Sequence, residues 1–181
     1  MNISSHIFES YLHCPTKCWL MSYGEVGDKN VYAEWMREKN QFYLTNGIKN
    51  LSDIFQPAEF IASPPEKLNL KTNSWSLASG VMASSKNMIS CIHAIERVLP
   101  SGRGTSVQYI PIRFISNNKL TRLDKLLVAF DAEIFAETFK CDITYSKIIH
   151  GDRFSTSKVK TSFKNKNPDT EYNLDTIGKN I

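Results

Sequence analysis

The sequence predicts an α/β fold in which a mixed central β-sheet is flanked by helices. Two segments with helical periodicity enclose a run of strand-like segments, and a further strand follows the second helix. The composition, with 41% hydrophobic and 22% charged residues, is typical of a globular domain. We therefore expect one domain over residues 1–162 and a disordered tail over residues 163–181, where no periodic apolar face remains.

The first clear helix is predicted over residues 31–48, after a short helix over residues 7–12. Trp35 and Tyr43 share one face of the longer helix. Aromatic residues at such a spacing belong more often to a core than to a binding surface, so we expect Trp35 to be buried. Gly47, which follows an asparagine, is a plausible stop signal for this helix.

Between the two helices the sequence is rich in β-formers and turn residues. Strands are predicted over residues 58–62, 75–82, 89–99 and 107–115, and a last strand over 145–149. The third and fourth of these strands are joined by a loop with two glycines, which favours an antiparallel pair.

The second clear helix is predicted over residues 121–140. Its apolar stripe has spacings of four, three and four and consists of Leu123, Leu127, Phe130 and Ile134. The opposite face carries the charged residues Lys125, Asp131, Glu133 and Glu137. Thr121 is the expected N-cap, and Asp124 three residues later completes a weak capping box.

The charge pattern restricts the classes of partner. A formal net charge of +4 permits a phosphate-bearing partner without arguing for one. No run approaches the roughly 18 apolar residues of a membrane span. The first residues also lack a basic segment ahead of an apolar one, as a signal peptide would have. We therefore expect a soluble, cytoplasmic protein with no membrane partner.

The four cysteines are Cys14, Cys18, Cys91 and Cys141, and only the first two are close in sequence. A C-x3-C pair is compatible with a metal or iron–sulfur corner, but a cluster needs about four soft ligands. Because the chain has no second close pair, free, partly buried thiols are the more ordinary interpretation.

Several segments occur in an order that resembles a known family. They are CPTKCWL at 14–20, IHAIERV at 92–98, GRG at 102–104, YIPIRF at 109–114, the stretch 120–132, and KIIHGD at 147–152. This order resembles the N-terminal domain of the RecB-like predicted nuclease family. That family is related to the CRISPR-associated RecB-like exonucleases and lies within the PD-(D/E)XK superfamily. The resemblance covers residues 1–161.

The resemblance implies a restriction-endonuclease-like core and DNA cleavage assisted by Mg2+ or Mn2+. In that chemistry an Asp, and an acid two residues before a Lys, bind the metal through hard oxygen ligands. This sequence departs from the pattern, because Glu96 is the only carboxylate in the predicted strand pair and His93 stands where the Asp is expected. Glu96 and His93 are therefore the candidate catalytic and metal-binding residues. Being three apart on a strand, they are expected on opposite faces unless a bulge intervenes.

Two further sets of residues follow from the resemblance. Cys14 matches the family's lone N-terminal iron–sulfur ligand, but its partners are missing, so we expect no cluster and a truncated or diverged member. The densest basic stretch is a candidate phosphate path for DNA, with ordinary solvated charge as the alternative. It consists of Arg97, Arg103, Arg113, Lys119 and Arg122.

Three hypotheses for function remain open at this point. The first is a RecB-like DNA nuclease domain, impaired or inactive because the acid pair is not evident. The second is a non-catalytic module on the same fold that binds nucleic acid or a protein partner of a nucleic-acid-processing complex. The third is a truncated remnant of a longer nuclease with no independent role.

Overall fold

The computed structural model describes residues 2–25, 30–64, 74–100 and 106–161. The predicted tail, residues 163–181, lies outside the described residues. The helices are α1 (Ser5–His13), α2 (Pro15–Ser22), α3 (Val31–Ser52) and α4 (Arg122–Phe139). The strands are β1 (Ile3–Ser4), β2 (Phe60–Ala62), β3 (Leu77–Ser85), β4 (Met88–Val98), β5 (Gln108–Ile115), β6 (Tyr145–His150) and β7 (Ser155–Lys160).

The described strands form one seven-stranded mixed sheet. Six strands follow the order β2-β3-β4-β5-β6-β7, and β1 pairs with the beginning of β4. Neighbours β3, β4 and β5 are antiparallel, whereas β6 is parallel to β5 and β2 is parallel to β3. The predicted mixed central sheet and the predicted antiparallel pair are confirmed. Strands β1 and β7 were not expected from the sequence.

Helices cover both faces of this sheet. On one face Phe8 of α1 and Phe130 of α4 stack at 4.5 Å between ring centroids, within a core that includes Ala78 and Ile92. On the other face apolar residues of α3 pack against a second core built on Leu77 and other strand residues. Leu77 and Ala78 are adjacent, so their side chains leave the sheet in opposite directions. The prediction that helices flank the sheet is confirmed.

Helix α3 does not end at Gly47 as the sequence suggested; it continues to Ser52. Gly47 is buried against Phe114 of β5, and a Cβ atom at this position would lie only 2.4 Å from the ring. A glycine inside a helix is normally unfavourable, but here it lets the helix backbone approach the sheet closely. Gly47 is therefore a packing residue rather than a stop signal.

The first half of α3 extends away from the core. Trp35 is 53% exposed and Tyr32 is exposed, so the prediction that Trp35 is a core residue is wrong. The residues of α3 that contact the second core come later in the helix and are Tyr43, Leu44, Ile48 and Leu51. Trp75, by contrast, is buried. Trp35 and Tyr43 therefore do not share one face, because Trp35 is exposed whereas Tyr43 packs against the second core.

The predicted N-terminus of α4 is confirmed in detail. The Thr121 hydroxyl accepts a hydrogen bond from the backbone N–H of Asp124 at 3.2 Å. The Asp124 carboxylate in turn accepts from the backbone N–H of Thr121 at 2.7 Å. This reciprocal capping box starts the helix at one defined residue, which places the rest of α4 along the sheet.

Replacing Gly47 by alanine tests the close approach of α3 to the sheet. In an unhindered helix this change would stabilise the protein by up to about 1 kcal/mol. Because the new methyl group would overlap the Phe114 ring, we expect the free energy of unfolding to fall by about 1–3 kcal/mol instead. Urea denaturation measures this change, with the exposed residue Asn50→Ala as the control in the same helix. A stabilised Gly47→Ala protein would contradict the packing described here.

Candidate functional site

The most polar part of the interior is an ion pair between Arg113 of β5 and Asp131 of α4. An Arg113 Nη atom donates to Asp131 Oδ2 at 2.7 Å, and both side chains are buried. The other carboxylate oxygen, Oδ1, accepts from the Ser90 hydroxyl at 2.6 Å and from the Ser5 hydroxyl at 3.4 Å. We call Ser5, Ser90, Arg113 and Asp131 the buried charge centre.

Asp131 was predicted to lie on the polar face of α4, and this prediction is wrong because its side chain is buried. Asp131 lies four residues after Leu127 and three before Ile134, both of which are buried. This is the spacing of the apolar stripe itself, so the burial of Asp131 could have been predicted from the sequence. The missing information was its partner, because only the fold shows that Arg113 reaches the same point from β5.

Electrostatics keep the Arg113 guanidinium charged. Burial lowers the pKa of Arg113, but the carboxylate of Asp131, with smaller effects from Glu9 and Asp124, raises it above its ordinary value overall. The guanidinium is therefore positively charged at every physiological pH. A buried cation needs a fixed counter-charge, and Asp131 supplies it.

His93 lies beside this centre and is a hydrogen-bond acceptor for the sheet. Its Nδ1 atom accepts from the backbone N–H of Phe114 at 3.0 Å, and its ring stacks on the Phe114 ring. Burial and the positive charge of Arg113 lower the pKa of His93 to about 4, against an opposing effect of Asp131. At neutral pH the imidazole is therefore uncharged, with Nδ1 already engaged.

His93 and Glu96 were expected on opposite faces of the sheet, but they lie on the same face. Ile92 and Ile95 are three residues apart yet belong to the same core, so the strand is irregular between them. The facing strand has Gly80 at this place, with a φ of 65° that favours glycine. As a result His93 and Glu96 are both on the α3 side of the sheet, His93 against Phe114 and Glu96 opposite Leu77 in the β3–β4 register.

Glu96 is nevertheless engaged elsewhere. It forms an ion pair with Lys147 of β6, and both side chains are partly buried. The charges that act on His93 are those of Arg113 and Asp131, not that of Glu96. Within the described ranges, no group of three or more His, Cys, Asp or Glu side chains is placed to hold a metal ion.

The four candidate phosphate-binding residues that the structure describes do not lie together on the surface. Arg113 belongs to the buried charge centre, and Arg97 is buried with its guanidinium donating to the Trp75 carbonyl at 3.2 Å. Lys119 and Arg122 are exposed near the start of α4. Arg103 lies outside the described residues.

Cys14, the residue matched to an iron–sulfur ligand, is exposed at the junction of α1 and α2. Cys18, one turn later, is buried, and burial raises the pKa of its thiol.

Among the described helices, none combines the length and the apolar character that a membrane crossing requires.

The buried charge centre leads to a stability prediction. Asp131→Ala leaves the Arg113 guanidinium buried without its counter-charge, so we expect the free energy of unfolding to fall by about 3–5 kcal/mol. The double variant Arg113→Met/Asp131→Leu, which removes both charges, is expected to recover most of that loss. The control is Lys86→Met, which breaks the exposed Lys86–Glu137 pair and should cost less than about 1 kcal/mol. If Asp131→Ala costs no more than this control, the pair has no structural role.

The pKa of His93 leads to a prediction on pH dependence. Between about pH 6.5 and about pH 4 the unfolded chain binds a proton at His93 that the folded protein does not bind. The free energy of unfolding therefore falls as the pH falls through this window, by up to about 3 kcal/mol. The variant His93→Asn keeps an acceptor for Phe114 N–H but does not titrate. Urea unfolding across the window should show a smaller loss for His93→Asn; equal losses would contradict the assignment.

Comparison with known proteins adds no identification. No protein-family model matches the chain, and no curated protein matches its sequence. The resemblance to RecB-like nucleases therefore stays a prediction. The observations that bear on function are the contacts of Arg113, Asp131, His93 and Glu96.

Proposed function

We propose that this chain is a RecB-like nuclease-type domain that does not cleave DNA and acts as a binding module for a protein partner. The observation that carries the proposal is the internal pairing of Asp131 with Arg113. A divalent cation would need carboxylate oxygen atoms that are free to bind it, and Asp131 is a buried carboxylate between the sheet and α4. Here that carboxylate is neutralised by a side chain of the same chain.

The geometry of the Arg113–Asp131 pair leaves few free oxygen atoms to bind a metal ion. Mg2+ requires several oxygen ligands in near-octahedral geometry, of which carboxylates supply the charge. Both oxygens of Asp131 already accept hydrogen bonds, one from Arg113 and the other from Ser90 and Ser5. A divalent cation would also have to lie next to the guanidinium, where it would be repelled. This supports a domain without metal-dependent chemistry.

His93 and Glu96, the two candidate residues from the sequence, also already have partners within the chain. His93 is neutral, and its Nδ1 atom accepts from the backbone of β5. Glu96 is paired with Lys147. A metal site built from both would require each to give up its present partner, and would still contain a single carboxylate. The donor set therefore does not fit Mg2+ and would at best suit a softer ion such as Mn2+.

Surface chemistry favours a protein partner over DNA. Two of the five candidate basic residues, Arg97 and Arg113, are buried and cannot contact a phosphate on the surface. Large apolar side chains, in contrast, are exposed on α2 and α3, among them Trp19, Tyr23 and Trp35. Exposed Trp and Tyr side chains are typical of protein–protein interfaces. The continuous sheet with its two cores argues for a folded module rather than for a remnant.

The absence of cleavage is the first expected result. Purified protein is incubated with end-labelled single- and double-stranded DNA in Mg2+ or Mn2+, with EDTA as a negative control. We expect no product above the EDTA level, and the same result for Glu96→Ala and for Asp53→Ala, an exposed carboxylate outside the site. Cleavage that needs metal and is lost in Glu96→Ala, but not in Asp53→Ala, would establish a nuclease and refute the proposal.

A DNA-binding titration separates the two kinds of partner. If DNA were the ligand, its affinity would fall steeply with salt, because Lys and Arg side chains would release counterions from the phosphates. It would also fall in the double variant Lys119→Ala/Arg122→Ala. We expect neither effect at physiological salt. A salt-dependent affinity that this variant reduces would favour a nucleic-acid-binding module.

A further inference from the structure

The first half of α3 exposes an apolar stripe on the side opposite the sheet. Val31 is 81% exposed, Trp35 53% and Phe42 71%. At about 100° per residue these three lie within roughly 40° of one another on the helix. The residues that contact the second core occupy the opposite side of the same helix. We call Val31, Trp35 and Phe42 the outer stripe.

Charges of opposite sign flank the outer stripe. Glu34 lies along one side of it and Lys39 along the other, whereas Glu38 lies within the stripe, about 20° from Val31, by the same helical rotation. Lys39 is also held in place, since its ammonium group sits over the Trp35 ring at 5.4 Å from the centroid. Glu34, Glu38 and Lys39 are all exposed. The surface therefore has apolar side chains around one central carboxylate, with an acidic flank on one side and a basic flank on the other.

This arrangement complements itself in one orientation only. When two copies of a helix pack in parallel around a two-fold axis along the helices, the acidic flank of one faces the basic flank of the other. The residues that meet across such an interface are five positions apart, as Glu34 and Lys39 are. In an antiparallel pair, each flank would face the same flank of its partner, so that like charges would meet.

We propose that the outer stripe binds a second copy of this chain, with the two α3 helices parallel. Trp35 and Phe42 of each copy pack against those of the other, and Glu34 of each pairs with Lys39 of the other. Among the described residues, the body of the domain lies on the opposite side of α3 and the stripe is exposed. This self-association is independent of whether the domain cleaves DNA.

The size of the stripe sets the strength of the contact. From Val31 to Phe42 the helix rises by about 17 Å. An interface of this length falls below the roughly 1,200 Å² of total buried area that stable complexes reach. Glu38 also lies between Trp35 and Phe42, so the two Glu38 carboxylates of the parallel pair come close to each other at the two-fold axis, and their repulsion weakens the packing. The dimer is therefore weak, and it forms at high local concentration.

Sedimentation equilibrium over a concentration series tests the proposal on the full chain. The wild-type protein is expected to show a reversible monomer–dimer equilibrium. Trp35→Ala is expected to weaken dimerisation at least about tenfold, the scale of a lost interface aromatic residue. Trp19→Ala is the matched control, because Trp19 is also exposed but lies on α2. A monomer at all concentrations, or equal losses in both variants, would overturn the proposal.

Charge reversal tests the parallel orientation and leaves the three residues of the outer stripe unchanged. Lys39→Glu makes both flanks acidic, and Glu34→Lys makes the flank around position 34 basic. Each variant alone is expected to dimerise several-fold more weakly than the wild type, whereas an equimolar mixture should recover the association as a mixed dimer. Single variants that dimerise as well as the wild type, or a mixture that stays monomeric, would refute the arrangement.

Discussion

The ion pair between Arg113 and Asp131 is the interaction on which the arrangement of the interior depends. Burying two charges costs several kcal/mol each in lost hydration, so the pair is tolerable only with short hydrogen bonds on every side. Arg113 comes from β5, Asp131 from α4 and Ser90 from β4, and the three meet at one point. A shift of α4 along the sheet would separate them. The pair therefore defines one position of the helix, which apolar packing alone would define less sharply.

Burial and the same ion pair together set the protonation state of His93 on the neighbouring strand. The lack of water around the ring and the positive charge of Arg113 both disfavour a proton on His93. A neutral His93 can accept from the backbone of β5, and it does so where β4 is irregular. An imidazolium could not accept this bond. Structure and protonation state thus support each other at His93.

The elements were predictable from the sequence, but their partners were not. Periodicity located α3 and α4, and the Thr121–Asp124 capping box followed from residue types three apart. The burial of Asp131 and the role of Gly47 depend on Arg113 and Phe114, which are distant in sequence. Local spacing also could not show that Trp35 lies beyond the edge of the core. The candidate residues His93 and Glu96 were found by resemblance, and their present hydrogen bonds could only come from the fold.

The two halves of α3 explain how a rigid core and an exposed surface coexist in one helix. The second half is fixed by Gly47 against Phe114 and by apolar contacts with the sheet. Because an α-helix is stiff over a few turns, this contact also sets the direction in which the first half projects. Trp35 and Phe42 contribute little to folding when exposed, so their apolar surface is available for association. The close packing at Gly47 therefore holds the outer stripe in position.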